Sequence, residues 1–206
     1  MTTPITIIDY GVGNIASIAN MLKKAGFDSE LTGDPERIAT ASKIILPGVG
    51  AFDKAAIKLR ETGLGQLVVE RAAAGVPILG VCLGMQLLLE GSEEGVEPGL
   101  GLVPGRVRRF PREAGGASLR VPHMGWNTIH RVGHADALPS VREGDRFYFV
   151  HSYFVDQGDE ADAMATTTHG VSFTSMVRRG SVIGAQFHPE KSHKMGLRLL
   201  SDFATA

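Results

Sequence analysis

The segment Gly80-Val81-Cys82-Leu83-Gly84 sets the chain's single cysteine between two glycines, after the apolar run Val76–Val81 and before a helical stretch. A strand that turns sharply into a helix strains its central residue, and flanking glycines leave room where a Cβ would collide. A thiol at that turn meets the positive end of the helix, which favours thiolate. The next N–H, that of Leu83, points toward any oxyanion formed beside the sulfur. On its own, a lone cysteine reads as a small buried hydrophobe, and a second motif tips the balance. Gln186-Phe187-His188-Pro189-Glu190 supplies an imidazole and a carboxylate two residues apart. In an extended segment these project to the same side, and Pro189 stiffens the spacing. A histidine held in one tautomer by a carboxylate is the base that a thiol nucleophile needs. Pro47-Gly48-Val49-Gly50, just past a strand end, is a candidate second oxyanion element, because its glycines allow a backbone N–H to face the site.

Cys82 and His188 lie far apart in the chain, so a sheet must bring them together. The first ninety residues supply the pattern. Pro4–Asp9, Ser29–Thr32, Lys43–Leu46 and Val76–Val81 read as strands. Between them Ile15–Ala25, Ala51–Arg60 and Leu64–Ala74 carry helical periodicity, and Met85–Glu90 opens another helix. Such alternation predicts an α/β fold, a central, mostly parallel sheet flanked by helices. From Leu100 onward short strand-like runs follow one another, at Gly105–Phe110, Asn127–Arg131, Arg146–Asp156, Ala163–Thr168, Ser172–Val177 and Ser181–Phe187, before a last helix over Lys191–Phe203. These predict added antiparallel strands in the C-terminal half. Pro111–Arg120, with Gly115-Gly116, reads as a flexible loop.

Composition narrows the function classes. At 206 residues the chain reads as a single domain, 1–206, long enough to hold a core without disulfides or metal staples. Twenty-one basic against 22 acidic side chains give a net charge of −1 and no general pull toward nucleic acid or an anionic membrane. One cysteine excludes an internal disulfide and a multi-cysteine zinc site, and there is no H-E-x-x-H motif. Met1–Tyr10 shows no secretion signal, and no apolar run approaches the about 18 residues of a membrane helix. A reduced, cytoplasmic setting is expected. Gly11-Val12-Gly13-Asn14-Ile15-Ala16 fits a dinucleotide-binding pattern, but that reading leaves the cysteine turn and the H-P-E motif unexplained. Arg106, Arg108, Arg109 and Arg112 read as the polar face of an edge strand.

Six stretches together resemble the class I glutamine amidotransferases, and within them the glutaminase subunits of imidazole glycerol phosphate synthase. They are Asp9–Asn14, Leu46–Phe52, Gly80–Leu87, Val121–Asn127, Phe147–Phe154 and Gly184–Ser192. The cysteine turn and H-P-E specify only the class; His123-Met124-Gly125-Trp126-Asn127 and Phe149-Val150-His151-Ser152-Tyr153 specify the pathway. The resemblance implies that Cys82 is the nucleophile, His188 the general base and acid, and Glu190 the orienting carboxylate. It implies an oxyanion hole from Gly48, Val49, Gly50 and the Leu83 N–H, with Gln86, His151, Ser152 and Tyr153 holding the head group of glutamine. It implies amide hydrolysis through a thioester, with no metal or organic cofactor. The partner it implies is a separate cyclase subunit with a (βα)8 barrel, which takes up the ammonia in a heterodimer. Asn14, Met124, Trp126, Asn127, Tyr148 and Lys191 fall at or near that interface by the same resemblance. A glutaminase subunit of another pathway, or a Cys-His hydrolase that needs no partner, is the alternative.

Overall fold

A computed structural model describes residues 3–133, 137–156 and 160–206. The first two residues of the stretch Met1–Tyr10 lie outside it. The chain begins with β1 (Ile5–Ile8), α1 (Ile15–Lys24), β2 (Ser29–Thr32), α2 (Pro35–Ala39), β3 (Ile44–Gly48), α3 (Phe52–Glu61), α4 (Leu64–Ala73), β4 (Ile78–Cys82) and α5 (Leu83–Leu87). Strands dominate thereafter: β5 (Gly91–Ser92), β6 (Arg106–Arg109), β7 (Glu113–Ala114), β8 (Ala117–Ser118), β9 (His123–Thr128), β10 (His130–Arg131), β11 (Arg146–His151) and β12 (Tyr153–Val155). β13 (Ala163–His169), β14 (Val171–Arg179), β15 (Val182–Ala185) and α6 (His193–Thr205) complete it.

One 11-stranded sheet runs in the order β2-β1-β3-β4-β15-β14-β12-β6-β5, with β13 against β14 and β10 against β13. The β2-β1-β3-β4-β15 half is parallel throughout, and β14 turns the sheet antiparallel. Strands β1, β3, β4 and β15 are buried on both faces, which is why they read as unbroken apolar runs, whereas β2 at the edge is half-exposed. Ile7, Ile45 and Leu79 face α1 and α6 through Ile18, Leu22, Leu199 and Phe203. Ile8, Ile44, Leu46 and Ile78 face α3 and α4 through Phe52, Leu59, Leu64 and Val68. Placing β15 beside β4 matters most, because the register Ala185↔Val81 ends both strands at the same level.

The C-terminal half departs from its expected runs in instructive ways. The run expected over Arg146–Asp156 breaks at Ser152: β11 pairs with β9 in a separate ribbon, while β12 joins the main sheet. The strand expected at Asn127–Arg131 begins earlier, at His123, and is interrupted at Ile129. Pro111–Arg120 holds a small hairpin, β7 with β8, whose two central glycines both take positive φ, 59° and 80°. That geometry suits a tight turn that matches strand twist. Unforeseen was α2, although Asp34 accepts a bond from the Glu36 N–H and Pro35 occupies the first turn.

Candidate active site

Cys82 ends β4 and precedes α5, with φ 55° and ψ −112°, a left-handed conformation rare for a residue with a Cβ. Two close approaches hold it there. A Cβ on Gly84 would lie 1.9 Å from the Leu46 carbonyl oxygen, and one on Gly80 would lie 2.8 Å from the Gly84 carbonyl oxygen. Glycine is therefore required on both sides of the cysteine by backbone, not by side-chain preference. The end of β3 runs alongside, with Gly48 opposite Cys82 in register. A Cβ on Gly48 would approach the Gly84 nitrogen to 2.8 Å, so the 47–50 segment packs directly on the start of α5.

His188 follows β15 and so emerges beside the sulfur. Its Nδ1 hydrogen-bonds Glu190 Oε1 at 2.8 Å, with side-chain exposures of only 3% and 1%. The sequence spacing predicts an extended i, i+2 pair. Pro189–Lys191 instead forms one turn of 3-10 helix, which folds the carboxylate back onto the ring. The backbone around the histidine is clamped by β11: the His188 N–H donates to the Tyr148 carbonyl at 2.9 Å. Ser192 Oγ donates to the His188 carbonyl at 2.6 Å and accepts from the Tyr148 N–H at 3.0 Å. Burial opposes a charge on His188, but Cys82 and Glu190 outweigh it and push the imidazole pKa up to about 9. The ring is thus poised to carry a proton next to sulfur. Its Nε2 is buried, has no partner in hydrogen-bond geometry among the described residues, and is left for that proton's transfer.

Cys82 and His188 open on a cavity of about 370 Å³, also lined by Val49, Gly50, Leu83, Gln86, Glu94, His151, Ser152, Tyr153 and Lys191. The expected catalytic pair, oxyanion elements and head-group residues therefore meet in one place; Gly48 sits behind the lining. A second hollow, of about 270 Å³ beside α3 and α4, has neither a nucleophile nor a histidine in its lining. Met124 is 61% and Trp126 39% exposed, on the outer side of the β9–β11 ribbon. Trp126 stands opposite Tyr148 and stacks on His193, and Lys191 Nζ lies 5.8 Å from the Tyr148 ring centroid. Asn127 projects to the other side, where its amide donates to the Thr168 carbonyl. Asn14 lies just before α1 and accepts a bond from Ser17 Oγ.

Three further groups at the site carry no motif of their own. Tyr10 is buried and its hydroxyl donates to the Pro47 carbonyl at 2.7 Å, anchoring the 47–50 segment from beneath. Burial, then the neighbouring Cys82, raises its phenol pKa well above the ordinary range. Gln186 is fully buried, with Nε2 4.0 Å from Cys82 Sγ; its i, i+2 relation to His188 was the available signal. Glu94 places a carboxylate in the cavity and accepts from the Phe52 N–H at 3.0 Å, a contact across distant segments with no local pattern to announce it.

Known proteins resemble this chain over almost its whole length. The family model described as "Glutamine amidotransferase class-I" matches residues 6–206. The imidazole glycerol phosphate synthase subunit HisH of Moorella thermoacetica is 45% identical over 201 residues, 97% of this chain and 93% of that protein. Its counterpart from Gloeobacter violaceus is 46% identical over 206 residues, 98% of this chain and 89% of the other. A solved glutamine amidotransferase superposes with a TM-score of 0.75 at 20% identity, covering 98% of this chain and 99% of that one, a likeness of fold.

Proposed function

The chain belongs to the class I glutamine amidotransferases, among subunits of imidazole glycerol phosphate synthase, and on that footing we propose that it is a glutaminase feeding ammonia to a separate cyclase. The observation that carries the reading is the strained Cys82 beside the buried His188–Glu190 pair at one cavity. In the proposed reaction the Cys82 thiolate attacks the side-chain carboxamide carbon of glutamine. The oxyanion of the tetrahedral adduct is held by the Leu83 N–H and an N–H of the Gly48–Gly50 segment. His188 gives its proton to the leaving nitrogen, and ammonia departs as the thioester forms. Water, relieved of a proton by His188, then cleaves the thioester to glutamate and restores the thiolate–imidazolium pair. Glu190 holds the ring in the tautomer with Nδ1–H and stabilises its charge.

Glutamine's head group fits the other end of the cavity. Glu94 supplies a counter-charge for its ammonium, and the His151-Ser152-Tyr153 backbone with Gln86 frames the rest. The partner is a cyclase subunit with a (βα)8 barrel, joined as a cytoplasmic heterodimer. It uses the ammonia to make imidazole glycerol phosphate and aminoimidazole carboxamide ribotide in histidine biosynthesis. The exposed Met124 and Trp126, with Tyr148, Lys191 and Asn14 nearby, form the docking face, an apolar anchor with a polar surround, while Asn127 sits behind it on the inner side of the ribbon.

The test measures glutamate release by the chain alone, with the cyclase, and with cyclase plus its nucleotide substrate. Release is expected to rise with each addition and to vanish in Cys82→Ala. Equal release without a partner would favour a free-standing Cys-His hydrolase, and activity retained in Cys82→Ala would remove the mechanism.

A further inference from the structure

The β9–β11 ribbon carries, on its inner side, a line of polar side chains, with His123 and His151 buried and Asn127 half-buried, whose hydrogen bonds the mechanism above does not use. Asn127 Nδ2 lies 3.1 Å from His123 Nε2, His123 Nδ1 lies 2.9 Å from His151 Nε2, and His151 Nδ1 lies 2.7 Å from the Tyr153 carbonyl oxygen. That carbonyl also accepts from Gln86 Nε2 at 3.0 Å, which donates in turn to Gln186 Oε1 at 3.0 Å. Gln186 Nε2 then reaches toward the Cys82 sulfur, 4.0 Å away.

The direction of every bond in the ribbon is fixed from its end. A carbonyl only accepts, so His151 Nδ1 carries the hydrogen and its Nε2 must accept. His123 Nδ1 therefore donates, and His123 Nε2 accepts from the Asn127 amide. Neither ring can take a second proton without setting two donors against each other. Burial keeps both neutral, with His123 pushed down to about 4 and His151 to about 3; His169 stacked on His123 adds to the effect on each. Phe110, Phe149 and Phe173 pack against the two buried rings and keep water from their shared bond. One residue from its outer end stands Trp126, on the exposed side of the same strand.

We propose that Asn127, His123 and His151 form a one-directional hydrogen-bond relay that couples movement of the partner-facing ribbon to Tyr153, Gln86 and Gln186, and so to the setting of Cys82. The proposal rests on the reading of this chain as a partner-activated glutaminase, and it names positioning residues within it. A shift of the ribbon on docking moves the Asn127 amide. Because the line has no slack and no spare donor, the shift is taken up at the Tyr153 carbonyl, where two donors converge beside the cavity.

His123→Phe keeps an aromatic ring among its aromatic neighbours and removes both relay bonds. With saturating cyclase and nucleotide, its stimulation over the isolated chain's rate is expected to fall at least tenfold. Its unstimulated rate and its Kd for the cyclase should stay within twofold of wild type. His123→Gln, which keeps one donor and one acceptor, should recover part of the stimulation. Asn127→Asp, whose carboxylate still accepts from the Thr128 N–H but cannot donate to His123, should repeat the loss if His123→Phe does not fold. Stimulation preserved within twofold in His123→Phe or Asn127→Asp overturns the relay. So does an equal loss of basal and stimulated rates in the folded variant, which marks a merely structural role. A wild-type chain that releases no glutamate with its cyclase fails the parent reading instead, and that control is run first.

Discussion

Glu190→Gln isolates the contribution of one charge. The change keeps the size and planarity of the side chain but removes the anion from a 2.8 Å contact in which both partners are almost fully buried. Two effects set the magnitude. A hydrogen bond between charged groups contributes about 1.5–3 kcal/mol, and at about 1.4 kcal/mol per decade its loss slows the reaction roughly 10- to 100-fold. A glutamine facing Nδ1 can also present its NH2 group, which selects the wrong imidazole tautomer; in the serine-protease case such a change costs about 10⁴-fold. The turnover number should therefore fall by about 10²- to 10⁴-fold. Glu190 does not line the cavity, so KM for glutamine should change by less than about threefold. The assay is steady-state glutamate release with the cyclase and nucleotide saturating. A turnover number within threefold of wild type would refute the orienting role, and so would a loss expressed wholly in KM.

Removing the counter-charge in Glu94→Gln should act in the opposite sense, raising KM for glutamine at least tenfold while leaving the turnover number within a few-fold. Stability should fall on both sides of neutrality. The raised pKa of His188 gives stabilisation that is complete below its ordinary 6.5 and is lost as pH rises through about 9. The lowered values of His123 and His151 give stabilisation that is complete above 6.5 and is lost as pH falls toward about 4 and about 3. Urea midpoints across that range should describe a dome, with its alkaline limb flattened in Glu190→Gln; a limb unchanged in that variant would contradict the assignment. Gly84→Ala, which sets a methyl group 1.9 Å from the Leu46 carbonyl oxygen, should lower stability by about 3 kcal/mol and the melting temperature by roughly 10 °C. Calorimetry checks this, and an unchanged melting temperature would show that the turn has slack.

What could be read in the sequence was what is local. Apolar runs with helical stretches between them identify the parallel half, because strands covered on both faces need no polar alternation. The glycines at positions 80 and 84 announce the turn by flanking Cys82; the contact that demands glycine at 80 is local, with the Gly84 carbonyl, whereas the one at 84 comes from the Leu46 carbonyl of the neighbouring strand. The pair His188 and Glu190 is legible as a pair but not in its geometry, because Pro189 starts a helical turn where the spacing predicts an extended segment. The long run over Arg146–Asp156 hid a change of sheet at Ser152, since a strand that leaves one sheet for another keeps its β-forming composition. Tyr10, Glu94 and the histidine line carried no local sign of their roles. Each acts through a partner distant in sequence, and buried polar groups show their purpose only when the donors and acceptors around them are placed.

An electrophilic glutamine analogue, with a reactive carbon in place of the carboxamide, puts the nucleophile itself to the test. Peptide mapping by mass spectrometry after incubation with the cyclase and nucleotide should locate the adduct on Cys82, with glutamine protecting against it and His188→Asn slowing it at least tenfold. Full loss of glutaminase activity with Cys82 unmodified, or labelling at another residue that glutamine blocks, would contradict the account.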